Sequence, residues 1–309
     1  MDLHSAAANL KQGYLVAFPT ETVYGLGADA ENPQAIQRMY EVKGRPTNHP
    51  VIVHIGDVSL LGYWAKDIPD YAMKLVRKFW PGPMTLLLPR TTNASDAITG
   101  GQEVVGVRIP SHPIALELLQ EFHRIGGHGV VAPSANRFGK VSPTTAEAVR
   151  EELSSYLTPQ DLILDGGDSE VGIESTIIDC TGNAPQILRL GAITPEMIVE
   201  TCGLSMEDSA RDIRFSGGLA KHYSPRAVVV MDERPQKGEG LIAFSEIDTP
   251  TGAIRLASPK NVEEFAHQLY SALRKADSLN LARVCVYLPQ GDGLASAIRD
   301  RVTRASSQG

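Results

Sequence analysis

Short apolar runs bounded by turn residues recur along this chain, and between them lie stretches whose apolar positions return every third or fourth residue. The runs Tyr14–Pro19, Val51–Ile55, Met84–Leu88, Val104–Ile109, Leu162–Leu164, Ser175–Ile178 and Ile187–Leu190 predict strands. The periodic stretches predict helices over Pro33–Glu41, where Ile36, Met39 and Tyr40 share a face, and over Tyr71–Phe79, Ile114–Phe122 and Thr145–Tyr156. Local punctuation supports these limits. Pro33 suits a first helical position, Ser142-Pro143-Thr144-Thr145 leads into a helix with capping hydroxyls, and Trp80-Pro81-Gly82-Pro83 is a sharp stop. Frequent strands with helices between them predict an α/β fold, a curved mixed sheet covered by helices.

The texture changes at MEDSARDIRFSGGLAKHYSP, which joins a charged start to paired glycines and then to His222, Tyr223 and Pro225. A passive tether has little need of His-Tyr. Beyond it, Val228–Met231, Leu241–Phe244, Ala253–Leu256 and Val284–Leu288 predict strands, Val262–Leu273 a helix, and Ile298 with Val302 the stripe of a last helix starting near Leu294. That order resembles a small Rossmann-like layer, although no GxGxxG loop is present. The GDGLASAIRDR stretch reads first as a helix start. The organisation predicted is a first domain over residues 1–206, a linker over 207–226 and a second domain over 227–309.

With 309 residues, the chain suits two domains better than one core. Its 42% hydrophobic and 21% charged residues are those of a folded globular protein. No apolar run approaches the length of a bilayer span, and the first residues lack a signal-type apolar core, so the expected location is cytoplasmic, with no membrane partner. Cys180, Cys202 and Cys285 are far apart and odd in number, which predicts isolated buried thiols. The formal charge of −7 is unevenly placed: residues 1–206 carry 15 basic and 23 acidic side chains, the remainder 14 and 13. Neither part has the composition of a general nucleic-acid binder, and no stable nucleic-acid binding is expected. Lys43, Arg45, Arg108, Lys140 and Arg189 nevertheless fall in or beside the unusual loops, which is compatible with a local positive cavity.

Those loops are PTETVYGLG at Pro19–Gly27, KGRPTNHP at Lys43–Pro50, APSAN at Ala132–Asn136 and GIEST at Gly172–Thr176. Each sets hydroxyl, amide or charged side chains beside Gly or Pro next to an apolar run, poor core material but suited to an anionic, hydroxyl-bearing substrate. They point to an enzyme handling phosphates. Lys43 and Arg45 flank Gly44 before a stiffening proline and could clamp successive phosphates; the plain alternative is a solvated basic turn. Arg108 lies within an apolar strand and needs an anionic partner, either a substrate carboxylate or a structural Asp or Glu. Ser134 and Asn136 could serve a ligand or merely satisfy their own turn. Glu174, beside Ser175 and Thr176, reads as a base, a magnesium ligand or a salt-bridge partner. Thr20, Thr22 and Tyr24 alternate in direction, so only some can face one ligand, and Tyr24 could instead close the core edge. His54 ends a strand as an acceptable hydrogen-bond donor. His49, His112 and His128 lack zinc spacing, Ser134 lacks a G-x-S-x-G elbow, and no GK[ST] follows Gly44-Arg45, which sets aside a P-loop ATPase.

Taken in order, Pro19–Gly27, Lys43–Pro50, Phe79–Thr85, Val107–Pro110, Ala132–Asn136, Ser142-Pro143-Thr144 and Leu164–Thr176 strongly resemble the threonylcarbamoyl-adenylate synthase family. Ile187-Leu188-Arg189 and the later His-Tyr-Ser-Pro fit its two-domain form. The resemblance implies synthesis of L-threonylcarbamoyladenylate and pyrophosphate from L-threonine, bicarbonate and ATP, with Mg2+ accompanying ATP. The product would pass to a separate tRNA threonylcarbamoyltransferase complex for modification of adenosine 37. It also implies a twisted sheet with a positively lined concave pocket, a Rossmann-like second domain and a linker lying across the pocket. By resemblance, Lys43, Arg45, Ser134 and Asn136 form the catalytic and nucleotide-phosphate set. Thr20, Tyr24, His54, Arg108 and Ser175 hold threonine or its carbamate, and Ser142, Arg189, His222 and Tyr223 help secure the nucleotide. No protein ligand of the metal is implied. Two departures stand out: SGGLAK precedes His-Tyr where the family often has a proline-glycine-methionine-like approach, and Leu190 follows Arg189 where proline is frequent. Two other functions stay open, a double-stranded RNA-binding module and a carbamoyl-transfer maturation enzyme. The latter normally carries zinc-like cysteine motifs that this chain lacks.

Overall fold

A computed structural model describes residues 2–207, 213–218 and 223–306. In chain order the first part contains α1 (Leu3–Lys11), β1 (Val16–Phe18), β2 (Gly25–Asp29), α2 (Pro33–Lys43), β3 (Ile52–His54), α3 (Leu61–Trp64), α4 (Asp70–Phe79), β4 (Met84–Pro89), α5 (Asp96–Thr99) and β5 (Val104–Arg108). It continues through α6 (Pro113–Arg124), β6 (Val130–Val131), α7 (Ala146–Leu153), β7 (Leu162–Ile163), β8 (Thr176–Asp179), β9 (Gln186–Arg189) and α8 (Pro195–Cys202). The second part contains β10 (Val228–Met231), β11 (Gly240–Ile242), β12 (Ile254–Ala257), α9 (Val262–Ser278), β13 (Arg283–Val286) and α10 (Leu294–Ser306).

Among the described residues, nine strands form one mixed sheet in the order β7-β1-β2-β6-β3-β5-β4-β8-β9. β3 and β5 run parallel, as do β4 and β8, whereas β4 and β5 are antiparallel. The register sets His54 directly beside Arg108 and Met84 beside Thr176, so the ends of these strands bring distant loops to one place. Side-chain caps start several of the helices. Asn32 accepts from the Gln34 and Ala35 amides ahead of α2, and Thr145 accepts from Ala148 ahead of α7. Helix α4 buries Tyr71, Ala72, Leu75, Val76 and Phe79, the stripe its spacing predicts.

The second sheet is parallel throughout, in the order β10-β13-β11-β12, with α9 crossing back from β12 to β13. The Rossmann-like reading of this region therefore holds for its sheet. Helix α8, which the spacing did not predict, packs Ile198 and Cys202 into the first core alongside Ile193, with Leu204 and Met206 against it. Residues up to 206 thus stay with the first sheet. The second core in turn recruits Val23, Val141 and Ile173 from first-domain loops. Cys180, Cys202 and Cys285 are buried free thiols, and no helix among the described residues is long and apolar enough to cross a membrane.

Candidate active site

The loop between β1 and β2 is built by its own hydroxyls. Thr20 Oγ1 donates to the Val23 carbonyl at 2.6 Å, accepts from the Thr22 and Val23 amides, and lies 2.8 Å from Thr22 Oγ1. This turn uses up Thr20 and presents Thr22. Tyr24 Oη donates to the Gly167 carbonyl at 2.7 Å and accepts from the Gly166 amide, so its ring anchors a neighbouring loop.

Lys43 ends α2, and Gly44, in the left-handed region, caps the helix ahead of Arg45. The Lys43 ammonium is buried and donates to the carbonyl oxygens of Ser134 and Asn136, each at 2.5 Å. Burial, then the Arg45 charge, drives its pKa well below that of a free lysine. Asn136 completes the turn by donating from Nδ2 to Arg137 O at 2.7 Å and Lys140 O at 2.9 Å. Arg45 donates through Nη2 to the Pro50 carbonyl at 2.9 Å and sits 5.6 Å from the Phe138 ring centre. Among the described residues, the buried Nε of Arg45 and Oδ1 of Asn136 have no hydrogen-bond partner.

Arg108 is buried and ion-paired. It donates to Glu21 Oε1 at 2.5 Å, to Thr22 Oγ1 at 3.0 Å and to the Gly82 carbonyl at 3.3 Å. Glu21 is held in turn by the Ser111 amide. The structural carboxylate thus exists, and it belongs to the PTET loop. On the adjacent strand, burial and then Arg108 push His54 down to about 3, so its imidazole is neutral at ordinary pH.

The GIEST segment supplies the opposite wall. Ser175 Oγ lies 2.8 Å from Thr85 Oγ1 and accepts from Arg189 Nη2 at 3.0 Å. Arg189 also donates to the Ser175 carbonyl at 3.0 Å and, from Nη1, to Ser216 O at 2.8 Å. Glu174 accepts from Ser142 at 2.7 Å, and from Tyr270 and Arg301 at 2.9 Å each. Burial opposes the charge on Glu174, but Arg301 and Arg189 outweigh it and hold the carboxyl at about 2. Tyr223 stacks on Tyr270 with ring centres 5.6 Å apart.

These walls line a cavity that is partly open to solvent. Seven residues that the resemblance selects line it: Arg45, His54, Arg108, Ser134, Ser175, Arg189 and Tyr223. Thr20, Tyr24, Lys43, Asn136 and Ser142 stand one layer behind, holding the turns that carry the lining. His222 lies outside the described residues. Thr22 and Glu174 also line the cavity without having been selected; the alternation of Thr20 and Thr22 was the available signal for the first. Glu21 offsets Arg108 and Arg301 offsets Glu174, whereas among the described residues Arg45 and Arg189 face no carboxylate in an ion pair. The cavity is therefore positive and hydroxyl-lined, suited to an anion. Both nearby carboxylates are committed to arginines, and no cluster of three metal-ligating side chains occurs among the described residues.

A family model described as telomere recombination (Sua5/yciO/yrdC) matches residues 8–191, and one described as threonylcarbamoyl-AMP synthase, C-terminal domain, matches residues 193–307. The chain is 38% identical to the threonylcarbamoyl-AMP synthase of Pyrococcus abyssi over 97% of its own length and 93% of the relative's. The chain belongs to the threonylcarbamoyl-AMP synthase family. It is similarly related to the threonylcarbamoyl-AMP synthase of Bacillus subtilis, at 36% identity over 97% of this chain and 92% of that one. The crystal structure of P. abyssi Sua5 complexed with L-threonine superposes with a TM-score of 0.87 at 36% identity, covering 98% of this chain and 94% of the other. The match spans both domains, as the two-domain form of the family requires. It favours the enzyme over both the RNA-binding module and the carbamoyl-transfer maturation enzyme.

Proposed function

We propose that this chain makes L-threonylcarbamoyladenylate and pyrophosphate from L-threonine, bicarbonate and ATP, in the cytoplasm, for the threonylcarbamoyl modification of adenosine 37 in tRNA. The product would go to a separate tRNA threonylcarbamoyltransferase complex. The observation that carries this reading is the pairing of charges around one cavity. Arg108 is already matched by Glu21, while among the described residues Arg45 and Arg189 form no ion pair and lie beside the hydroxyls of Thr22, Ser134 and Ser175. Such a lining suits a small zwitterion at one end and a polyphosphate at the other.

The chemistry sets what these residues do. The threonine nitrogen must lose its proton before its lone pair can attack carbon dioxide formed from bicarbonate. The resulting carbamate reverts readily in water, so a narrow, buried site favours the next step. A carbamate oxygen then attacks the α-phosphorus of ATP, the bond to the β-phosphate oxygen breaks, and pyrophosphate leaves with that electron pair. Arg108, fixed by Glu21, receives the amino-acid carboxylate, and Thr22 or Ser175 takes the substrate hydroxyl. Neutral His54 lends a hydrogen bond and adds no competing charge. Arg45 and Arg189 stabilise negative charge that grows on the phosphates, and alignment supplies most of the rate. Lys43 would exchange its carbonyl partners for phosphate oxygens as nucleotide enters. Ser142 and Tyr223 would steady the nucleotide from the second-domain side. Magnesium would arrive as the counter-ion of ATP and would offset triphosphate charge.

The test is pyrophosphate release from magnesium-ATP by purified protein. The reading expects release only when L-threonine and bicarbonate are both present. Release that ignores threonine would contradict it.

A further inference from the structure

The second domain reaches the cavity through one buried cation. Arg301, on α10, has no solvent-exposed side chain. It donates to Glu174 Oε2 at 2.9 Å, to the Leu190 carbonyl at 2.8 Å and to Asp300 at 2.6 Å. Its guanidinium carbon also lies 5.3 Å from the Tyr223 ring centre. Tyr270, on α9, gives Glu174 a further hydrogen bond and stacks on Tyr223. The contact is close along its length: a Cβ on Gly172 would lie 2.5 Å from the Ala266 carbonyl oxygen, and Gly172 has φ +82°. Arg274 and His267 of α9 donate to the carbonyls of Val141, next to Ser142, and of Ser169, in the loop that leads to Glu174.

Glu174 lines the cavity, yet its position opposes an anionic ligand. With Arg301 removed, the other cation whose charge acts on it is Arg189, which lines the cavity in no ion pair among the described residues. We propose that Arg301 is a positioning residue for the nucleotide: it neutralises Glu174 from the second domain, so that Glu174 holds Ser142 without capturing Arg189, and it supports the Tyr223 ring at the cavity wall. The proposal rests on the synthase reading, and it gives the second domain a defined part in that reaction. Threonine binding depends on a separate pair, Arg108 with Glu21, and is spared.

The test compares wild type, R301M, E174Q and E174Q/R301M in steady-state pyrophosphate release, varying ATP and L-threonine separately. R301M is expected to raise the KM for ATP by about tenfold or more and the KM for threonine by less than about twofold. Removing the stranded carboxylate as well, in E174Q/R301M, is expected to return the ATP KM to within about threefold of E174Q. A merely structural role would move both KM values together and would show no rescue. Unchanged KM values in R301M, or a double variant no better than R301M, would overturn the proposal. If R301M does not fold, R301K keeps the cation but loses the fork that also reaches Leu190; an ATP KM raised about threefold is then expected, and a wild-type value would overturn it. Wild-type protein that releases no pyrophosphate would fail the synthase reading itself. The Arg301 assignment would then be read from ATP affinity by calorimetry, where the same tenfold weakening in R301M is expected and its absence is fatal.

Discussion

The Lys43 ammonium lies 2.5 Å from the Ser134 carbonyl oxygen, which makes the basic turn after α2 and the Pro-Ser-Ala-Asn turn a single unit. Asn136 shares the same cation through its own carbonyl. Replacing Lys43 by Met removes a charge near the phosphate end and leaves two buried carbonyls unpaired. K43M is expected to lose about a hundredfold or more in kcat/KM. It should also show faster amide exchange over residues 132–140. Loss of activity with unchanged exchange would confine Lys43 to the chemistry and remove its part in the turn.

Glu21 and Arg108 are a buried pair, so breaking it strands a cation. E21Q is expected to lower unfolding free energy by about 3–5 kcal/mol in the absence of ligand. Threonine brings a replacement carboxylate. It should therefore stabilise E21Q more than wild type in urea titrations, while ATP alone should not. Equal stabilisation of both proteins by threonine would place the amino-acid carboxylate elsewhere.

Gly217 sits at φ +83°, where a Cβ would come within 2.4 Å of Tyr223 Oη and 3.2 Å of Arg189 Nη1. G217A should displace the Tyr223 ring and disturb Arg189 together. The expected result is an ATP KM raised by about tenfold together with a lowered thermal midpoint, since an alanine is strained at this φ. A wild-type KM would show that neither group needs this geometry.

His54 gives stability a defined pH dependence. Its folded pKa of about 3 lies below the ordinary 6.5, so the unfolded chain takes up a proton that the folded protein refuses. Stability from this source is level above pH 6.5 and falls as the pH drops toward 3. At pH 5 the loss is about 2 kcal/mol. His49, lowered by burial and by Arg45, acts in the same direction. Glu174, held at about 2 against 4.5, keeps its full contribution above pH 4.5 and loses it only below, as it protonates. Urea midpoints between pH 7 and 5 should therefore fall less steeply in H54N than in wild type; parallel slopes would refute the assignment.

The strands and helices with strong periodicity were readable from the residues alone, and α4 and β4 fall where their spacing puts them. β2 was not, because its Gly-Leu-Gly-Ala-Asp run has weak strand character and forms by pairing with β1 and β6. Helices α1 and α8 carried capping signals, Asp2 and Thr194-Pro195, that apolar spacing alone overlooks. In the site, the motifs located the loops but not which side chain faces inward. Thr20 and Thr22 are the same residue type two positions apart, and only the hydroxyl turn of Thr20 decides between them. Arg108 offered two partners on equal terms, and the structural one is Glu21, at 2.5 Å. The role of Glu174 was hidden because its cation, Arg301, lies 127 residues away on a helix of the second domain, where no local spacing could announce it.

The most direct measurement is mass spectrometry of a short reaction of the purified protein with magnesium-ATP, L-threonine and 13C-bicarbonate. The account expects threonylcarbamoyladenylate carrying the label, in step with pyrophosphate, and none when threonine is omitted. Folded protein that binds ATP yet forms no labelled adduct under these conditions would contradict it.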